Sequence, residues 1–180
     1  LIAGPTSVAV PPVAEVVRVR GAAEMHREVM ARADSVDVVI MAAAVADYAP
    51  ATRAAQKVPK GDPRITLVLE KTADILGDLG ARRASAGRGP VLVGFAAETE
   101  DVIDSARAKL ARKKVDLIVA NDVSRADRGF DVESNAVTIV GPHGVEELPL
   151  QSKARAAAEI LKRVEVLVAE RPAAAASGRE

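Results

Sequence analysis

With 180 residues, the chain is long enough for one domain with a sizeable core. Its 25 Lys and Arg balance 25 Asp and Glu, so it lacks the basic excess that general nucleic-acid or membrane-surface binding needs. The lack of cysteine excludes disulfides and thiolate chemistry and fits a cytoplasmic protein; with only His26 and His143 present, a histidine-rich zinc site is excluded and any divalent metal falls to oxygen ligands.

The opening LIAGPT has no initiator Met and no basic flank of a signal peptide. It reads as the tail of a strand, Leu1 to Ala3, turning at Gly4-Pro5, in a piece of a longer chain. No apolar run reaches the roughly 18 to 20 residues that span a bilayer. Val16, Val17 and Val19 suggest a short strand, and Ala22, Met25, Val29 and Ala33 fall on one face of a helix over 22–32. Val38 to Met41 is an unbroken apolar run of the kind found in a strand buried on both faces. It gives way to Ala42, Ala43, Ala44 and Ala46, whose small side chains let a ligand approach the backbone at the strand's carboxyl end, where open α/β sheets bind ligands. Asp47 adds a carboxylate there, and the loop with Lys57, Pro59, Lys60 and Gly61 has the make-up of a basic lid. The same stretch also reads as a core strand, an Ala-rich turn and a solvated loop.

Ile65 to Glu70 alternates as a strand does, and Thr72 is placed to cap a helix running to about Arg83. Val91 to Val93 is a buried strand closed by GFAAET, a helix over 100–114 follows, and Leu117 to Ala120 ends in Asn121-Asp122. Lys109 and Lys113, four apart on that helix, complement its dipole or grip a polyphosphate. Phe95 is placed either to stack on a base or to join the core. After a polar loop, Ala136 to Val140 and Val145 to Leu150 read as a β-hairpin across Gly141 to Gly144, and Ser152 caps a last helix to about Ala169. The order predicts a doubly wound, mostly parallel α/β sheet with helices on both faces and a late β-hairpin. It forms one domain over 1–169, with a disordered tail over 170–180. There is no GxxxxGK[ST], no GxGxxG after a strand and no GxSxG.

AAAVADYAP, the loop ending in KVPK, GFAAET and ANDVS, in that order, resemble the phosphopantothenate-cysteine ligase family, as do AGPTS and AAEM. The match reaches to about Val166 and is nearest to the ligase half of the bifunctional bacterial type. The resemblance implies a Rossmann-like fold and a cytoplasmic homodimer, and Val137, Ile139, Val145 and Leu148 of the hairpin, more apolar surface than a two-stranded ribbon buries alone, are expected at its two-fold axis. It implies CTP-dependent ligation of 4'-phosphopantothenate with cysteine through an acyl-cytidylate, with Mg2+ on the nucleotide and FMN only in an upstream decarboxylase half. It places CTP contacts at Met41, Ala42, Ala43, Asp47, Lys57, Ala73, Asp74, Ile75, Leu76, Phe95, Lys109 and Lys113, with Lys57 and Asn121 in catalytic roles and Asp122 closing the crevice. The family's opening GGT-type and SSGK-like segments do not occur, and the resemblance implies that they precede Leu1. A non-enzymatic Rossmann-type dinucleotide-binding module, or an assembly domain built on the hairpin and last helix, are the readings from other classes.

Overall fold

The computed structural model describes residues 1–52, 56–57, 64–98, 101–122 and 134–171, without the side chains of Glu98 and Asp122. Val58, Pro59, Lys60, Gly61, Thr99, Glu100, Val123, Ser124 and the tail beyond Arg171 lie outside the described residues. The chain divides into two compact units, Leu1–Val29 with Ala44–Asp74, and Met30–Ala43 with Ile75–Glu180. Among the described residues no helix is long and apolar enough to cross a membrane.

In the first unit, β1 (Ile2–Ala3) pairs in parallel with β2 (Val17–Arg18), helped by Val17 N–H donating to Leu1 O at 2.8 Å and Val19 N–H to Ala3 O at 2.9 Å. Helix α1 (Ala22–Arg32) has the predicted bounds, and Met25, Val29 and Ala33 of its expected face are buried. Glu24 in its first turn accepts a bond from Arg20 N–H at 2.8 Å, which fixes the chain's entry into the helix. The antiparallel ribbon β4 (Tyr48–Pro50) with β5 (Leu69–Lys71) completes the unit. The strand expected over 65–70 is thus reduced to its end: Ile65, Leu67 and Val68 lie outside any strand and are exposed.

The second unit is built on a five-stranded sheet with the order β3-β6-β7-β8-β9. The strands are β3 (Val38–Met41), β6 (Val91–Glu98), β7 (Leu117–Asp122), β8 (Ser134–Gly141) and β9 (Gly144–Ser152), with helices α2 (Ile75–Ala86), α3 (Val102–Lys113) and α4 (Lys153–Ala169). β3, β6 and β7 run parallel, whereas β8 and β9 are antiparallel, so the sheet is mixed and the hairpin extends it from β7. The hairpin turns on Pro142-His143 alone, with Gly144 at φ 113°, a conformation that favours glycine. A register shift between the Asn135 and Val137 pairs gives β9 an extra residue near Pro149, whose ring nitrogen cannot join the ladder.

Helices cover both faces, as the sequence predicts. Val91 and Val93 of β6, Leu117 and Val119 of β7, Val137 and Ile139 of β8 and Leu148 of β9 pack under Ile160, Val164 and Leu167 of α4. Each such side chain contributes about 1.5–3 kcal/mol through burial. On the other face Gly94 meets Leu76 of α2 and Ile118, and Gly80 of α2 lies against the Lys113 carbonyl of α3. β3 departs from expectation. It is an edge strand of this sheet, and Ile40 is 41% exposed instead of buried. Ser152 caps α4 as predicted, its hydroxyl oxygen accepting from Arg155 N–H at 3.3 Å.

The amino ends of the strands are tied together by Asp116. Its Oδ2 accepts from Leu92 N–H at 2.7 Å, from Arg83 and from Arg171 at 3.2 Å. Arg83 also donates to Pro90 O at 3.1 Å and Lys114 O at 2.6 Å, and Arg171 donates to Gly89 O. Burial pushes the Arg171 pKa down, an effect opposed by Asp116. Glu170 and Arg171, expected in a disordered tail, are therefore held.

Gly80→Ala should lower the free energy of urea unfolding by about 1–3 kcal/mol, because the added Cβ meets the Lys113 carbonyl rather than a yielding side chain. A mid-helix Gly→Ala change otherwise stabilises by roughly 0.5–1 kcal/mol, so the sign of the change decides.

Candidate functional site

The three parallel strands of the second unit point their carboxyl ends the same way, and of the predicted contact residues Met41, Phe95 and Asn121 lie at those ends. β3 stops at Met41, in register with Gly94, while β6 runs four residues further, to Glu98. At about 3.3 Å per residue, Phe95 to Glu98 overhang the end of β3 by about 13 Å. Ala42 and Ala43 follow Met41 in irregular, exposed chain, so their backbone groups are open to a ligand. Ala97 lies in register with Asn121, and Glu98 with Asp122, so these strand ends run side by side.

Pleating sorts these side chains between the faces. Phe95 and Asn121 share the α4 face with Val91, Val93 and Val119. Phe95 is 41% exposed and, with Ile40, Asn135, Lys153 and Ile160, lines a cavity of about 410 Å³. Asn121 Oδ1, Asn135 Oδ1 and Gln151 Nε2 are buried with no hydrogen-bond partner among the described residues. Asn135 and Gln151 face each other across β8 and β9, and sequence reasoning missed both because they sit in what read as a polar loop and a strand end.

Gly94 is the residue that seats α2 on the sheet: a side chain there would collide with Leu76. Ile75 and Leu76, predicted contacts, have buried side chains, so what they can present is the backbone at the positive end of a helix. Lys109 and Lys113 are half-buried on α3, on the opposite face of the sheet from Phe95. They lie about 10 and 16 Å along the axis from the start of α3, in the half that leads back to the amino end of β7. Fold topology therefore separates these lysines from Phe95 and Asn121.

The first unit holds Asp47, Lys57, Ala73 and Asp74, all exposed. Asp47 stands in a turn whose backbone is tied to Thr72. The Thr72 hydroxyl donates to Ala46 O at 2.6 Å, and its N–H donates to Asp47 O at 2.9 Å. Thr72 was expected to cap α2, but that helix begins three residues later and the hydroxyl is committed to Ala46 instead. Among the described residues no group of three or more His, Asp or Glu is placed to hold a metal ion.

Comparison with known proteins agrees with this fold. The profile of the DNA/pantothenate metabolism flavoprotein C-terminal domain matches residues 1–167. The coenzyme A biosynthesis bifunctional protein CoaBC of Vibrio vulnificus (strain YJ016) is 44% identical over 170 residues, covering 93% of this chain and 42% of that protein, so the chain spans less than half the length of this relative. A crystal structure of the C-terminal domain of a CoaBC protein superposes with a TM-score of 0.76 at 36% identity, covering 94% of this chain and 74% of the other. A Cab2 mutant in complex with phosphopantothenate-cysteine shares the fold at a TM-score of 0.63 and 18% identity, over 86% of this chain and 54% of the other. The chain belongs to the family of the DNA/pantothenate metabolism flavoprotein C-terminal domain.

Proposed function

We propose that this chain carries the nucleotide-binding ligase chemistry of coenzyme A biosynthesis, joining 4'-phosphopantothenate to cysteine at the expense of CTP. The observation that carries the reading is the gathering of Met41, Ala42, Phe95 and Asn121 at the carboxyl ends of parallel strands, in a chain 44% identical to a CoaBC protein. In this reading the substrate carboxylate attacks the α-phosphate of CTP. Pyrophosphate leaves, and the cysteine amine then displaces CMP from the acyl-cytidylate to form the amide. The carboxylate is already a nucleophile, so the step needs positioning and charge neutralisation more than a general base. Ala42 and Ala43 offer backbone groups to a pyrimidine edge, and Phe95 offers a ring face. Asn121 Oδ1, which has no partner among the described residues, can accept a hydrogen bond from substrate. Lys57, Lys109 and Lys113 supply positive charge for phosphates. Mg2+ would be carried on the triphosphate, where its chemistry is charge neutralisation, with an exposed carboxylate such as Asp47 or Asp74 as protein ligand.

Homodimerisation belongs to the same reading, but its surface moves. Val137, Ile139 and Leu148 of the late hairpin, expected at a two-fold axis, are buried under α4 within the chain. Among the exposed apolar side chains, Tyr48, Ile65, Leu67, Val68 and Leu69 fall on and beside the β4–β5 ribbon, more than two short strands can cover alone. Leu67→Asp should shift the full natural polypeptide from dimer toward monomer in light scattering, and an unchanged mass would place the interface elsewhere.

Two experiments test the chemistry. Calorimetry on the full polypeptide should show CTP binding well ahead of ATP, NAD and FAD, because a backbone-lined slot reads a pyrimidine edge and leaves little room for a purine. Equal affinity for ATP would remove the cytidine assignment, and preference for a dinucleotide would favour a non-enzymatic module.

Lys57→Gln should reduce the single-turnover rate of pyrophosphate release on the order of 10- to 150-fold with little change in CTP affinity. Lys57 is exposed, and in this reading it acts on the α-phosphate only once substrate is bound. Lys113→Gln should weaken CTP binding and leave the rate, because helix-borne charges act on ground and transition state alike. An unchanged rate in Lys57→Gln would reduce that loop to a solvated connection.

A further inference from the structure

After β3 ends at Met41 the chain runs through Ala42, Ala43, Ala44, Val45 and Ala46 before Asp47, and no regular element resumes until β4 begins at Tyr48. None of those five side chains can make a hydrogen bond, so nothing within the turn itself sets the direction in which the Asp47 carboxylate points. Thr72 supplies the missing constraint. Its hydroxyl holds the carbonyl of Ala46 at 2.6 Å, and its N–H holds the carbonyl of Asp47 at 2.9 Å. Those carbonyls belong to the two peptide units on either side of the Asp47 Cα. Because each peptide is planar, anchoring both fixes the two backbone dihedrals of Asp47 and with them its Cα–Cβ direction.

The two bonds differ in what they demand of the sequence. Thr72 N–H to Asp47 O continues the β4–β5 register one step beyond the Tyr48–Lys71 pair, so any residue but proline at position 72 would make it. The bond to Ala46 needs a side-chain donor of hydroxyl length. We propose that Thr72 is a positioning residue for the nucleotide contact at Asp47, acting through its hydroxyl. The proposal rests on the reading of Asp47 as a CTP contact. Thr72 touches no substrate; it removes the freedom that Asp47 would otherwise lose on binding.

The test uses the full natural polypeptide with Thr72→Val, which keeps the β-branched shape and the N–H donor but loses the hydroxyl that steadies the turn, and Thr72→Ser, which keeps the hydroxyl. Thr72→Val should raise the Kd for CTP about 5- to 10-fold and leave turnover at saturating CTP within about twofold; Thr72→Ser should bind within about twofold of the parent. Combined with Asp47→Asn, Thr72→Val should add nothing further, since both changes remove the same contact. Wild-type affinity in Thr72→Val, or full additivity with Asp47→Asn, overturns the proposal. Amide hydrogen exchange at residue 72 separates this outcome from failure of the nucleotide reading. If the parent does not bind CTP, that reading falls. The clamp is then judged by whether Thr72→Val, and not Thr72→Ser, speeds exchange about tenfold or more, with equal rates in all three chains overturning it.

Discussion

The second unit depends on a single carboxylate. Asp116 precedes β7, and one of its oxygens receives the Leu92 N–H of β6, Arg83 of α2 and Arg171 beyond α4, so four elements meet at the amino ends of the strands. Each charge-assisted bond contributes about 1.5–3 kcal/mol net, and the three are coupled because they share one acceptor. The geometric effect matters more than the sum. With the amino ends locked, differences in strand length appear at the carboxyl ends, where β6 and β7 overhang β3 and leave a ledge for a ligand.

Two glycines transmit that constraint to the helices. Gly94 lets Leu76 rest on β6, and Gly80 lets α2 rest on the Lys113 carbonyl of α3, so the start of α2 and the lysine-bearing half of α3 are held on one face of the sheet. Phe95 and Asn121 are held on the other.

Much of this was legible in the sequence where one physical signal acted alone. The 3.6-residue spacing of Met25, Val29 and Ala33 fixed α1, and Ser152 announced α4, because a helix face and a cap are local facts. Val38 to Met41 looked fully buried because an apolar run does not reveal whether a strand lies at the centre or the edge of a sheet. Ile65 to Leu69 looked like a strand because alternation records propensity, whereas pairing needs a partner that only the fold can supply. The hairpin's apolar residues looked like an interface for want of knowing that α4 would cover them. Thr72 illustrates the same limit at the site: its hydroxyl had a plausible local partner in α2, and its actual partner is 26 residues away.

Tyr48 is the only tyrosine, and the chain has no tryptophan. It lies on β4 and is exposed, in the ribbon whose last bond clamps the Asp47 turn. Excited where phenylalanine does not absorb, ultraviolet emission from this polypeptide region therefore originates at one point. Any event that orders the ribbon, whether ligand capture or self-association, changes quenching and anisotropy at that point alone, so the molecule carries its own optical label beside the chemistry it is proposed to perform.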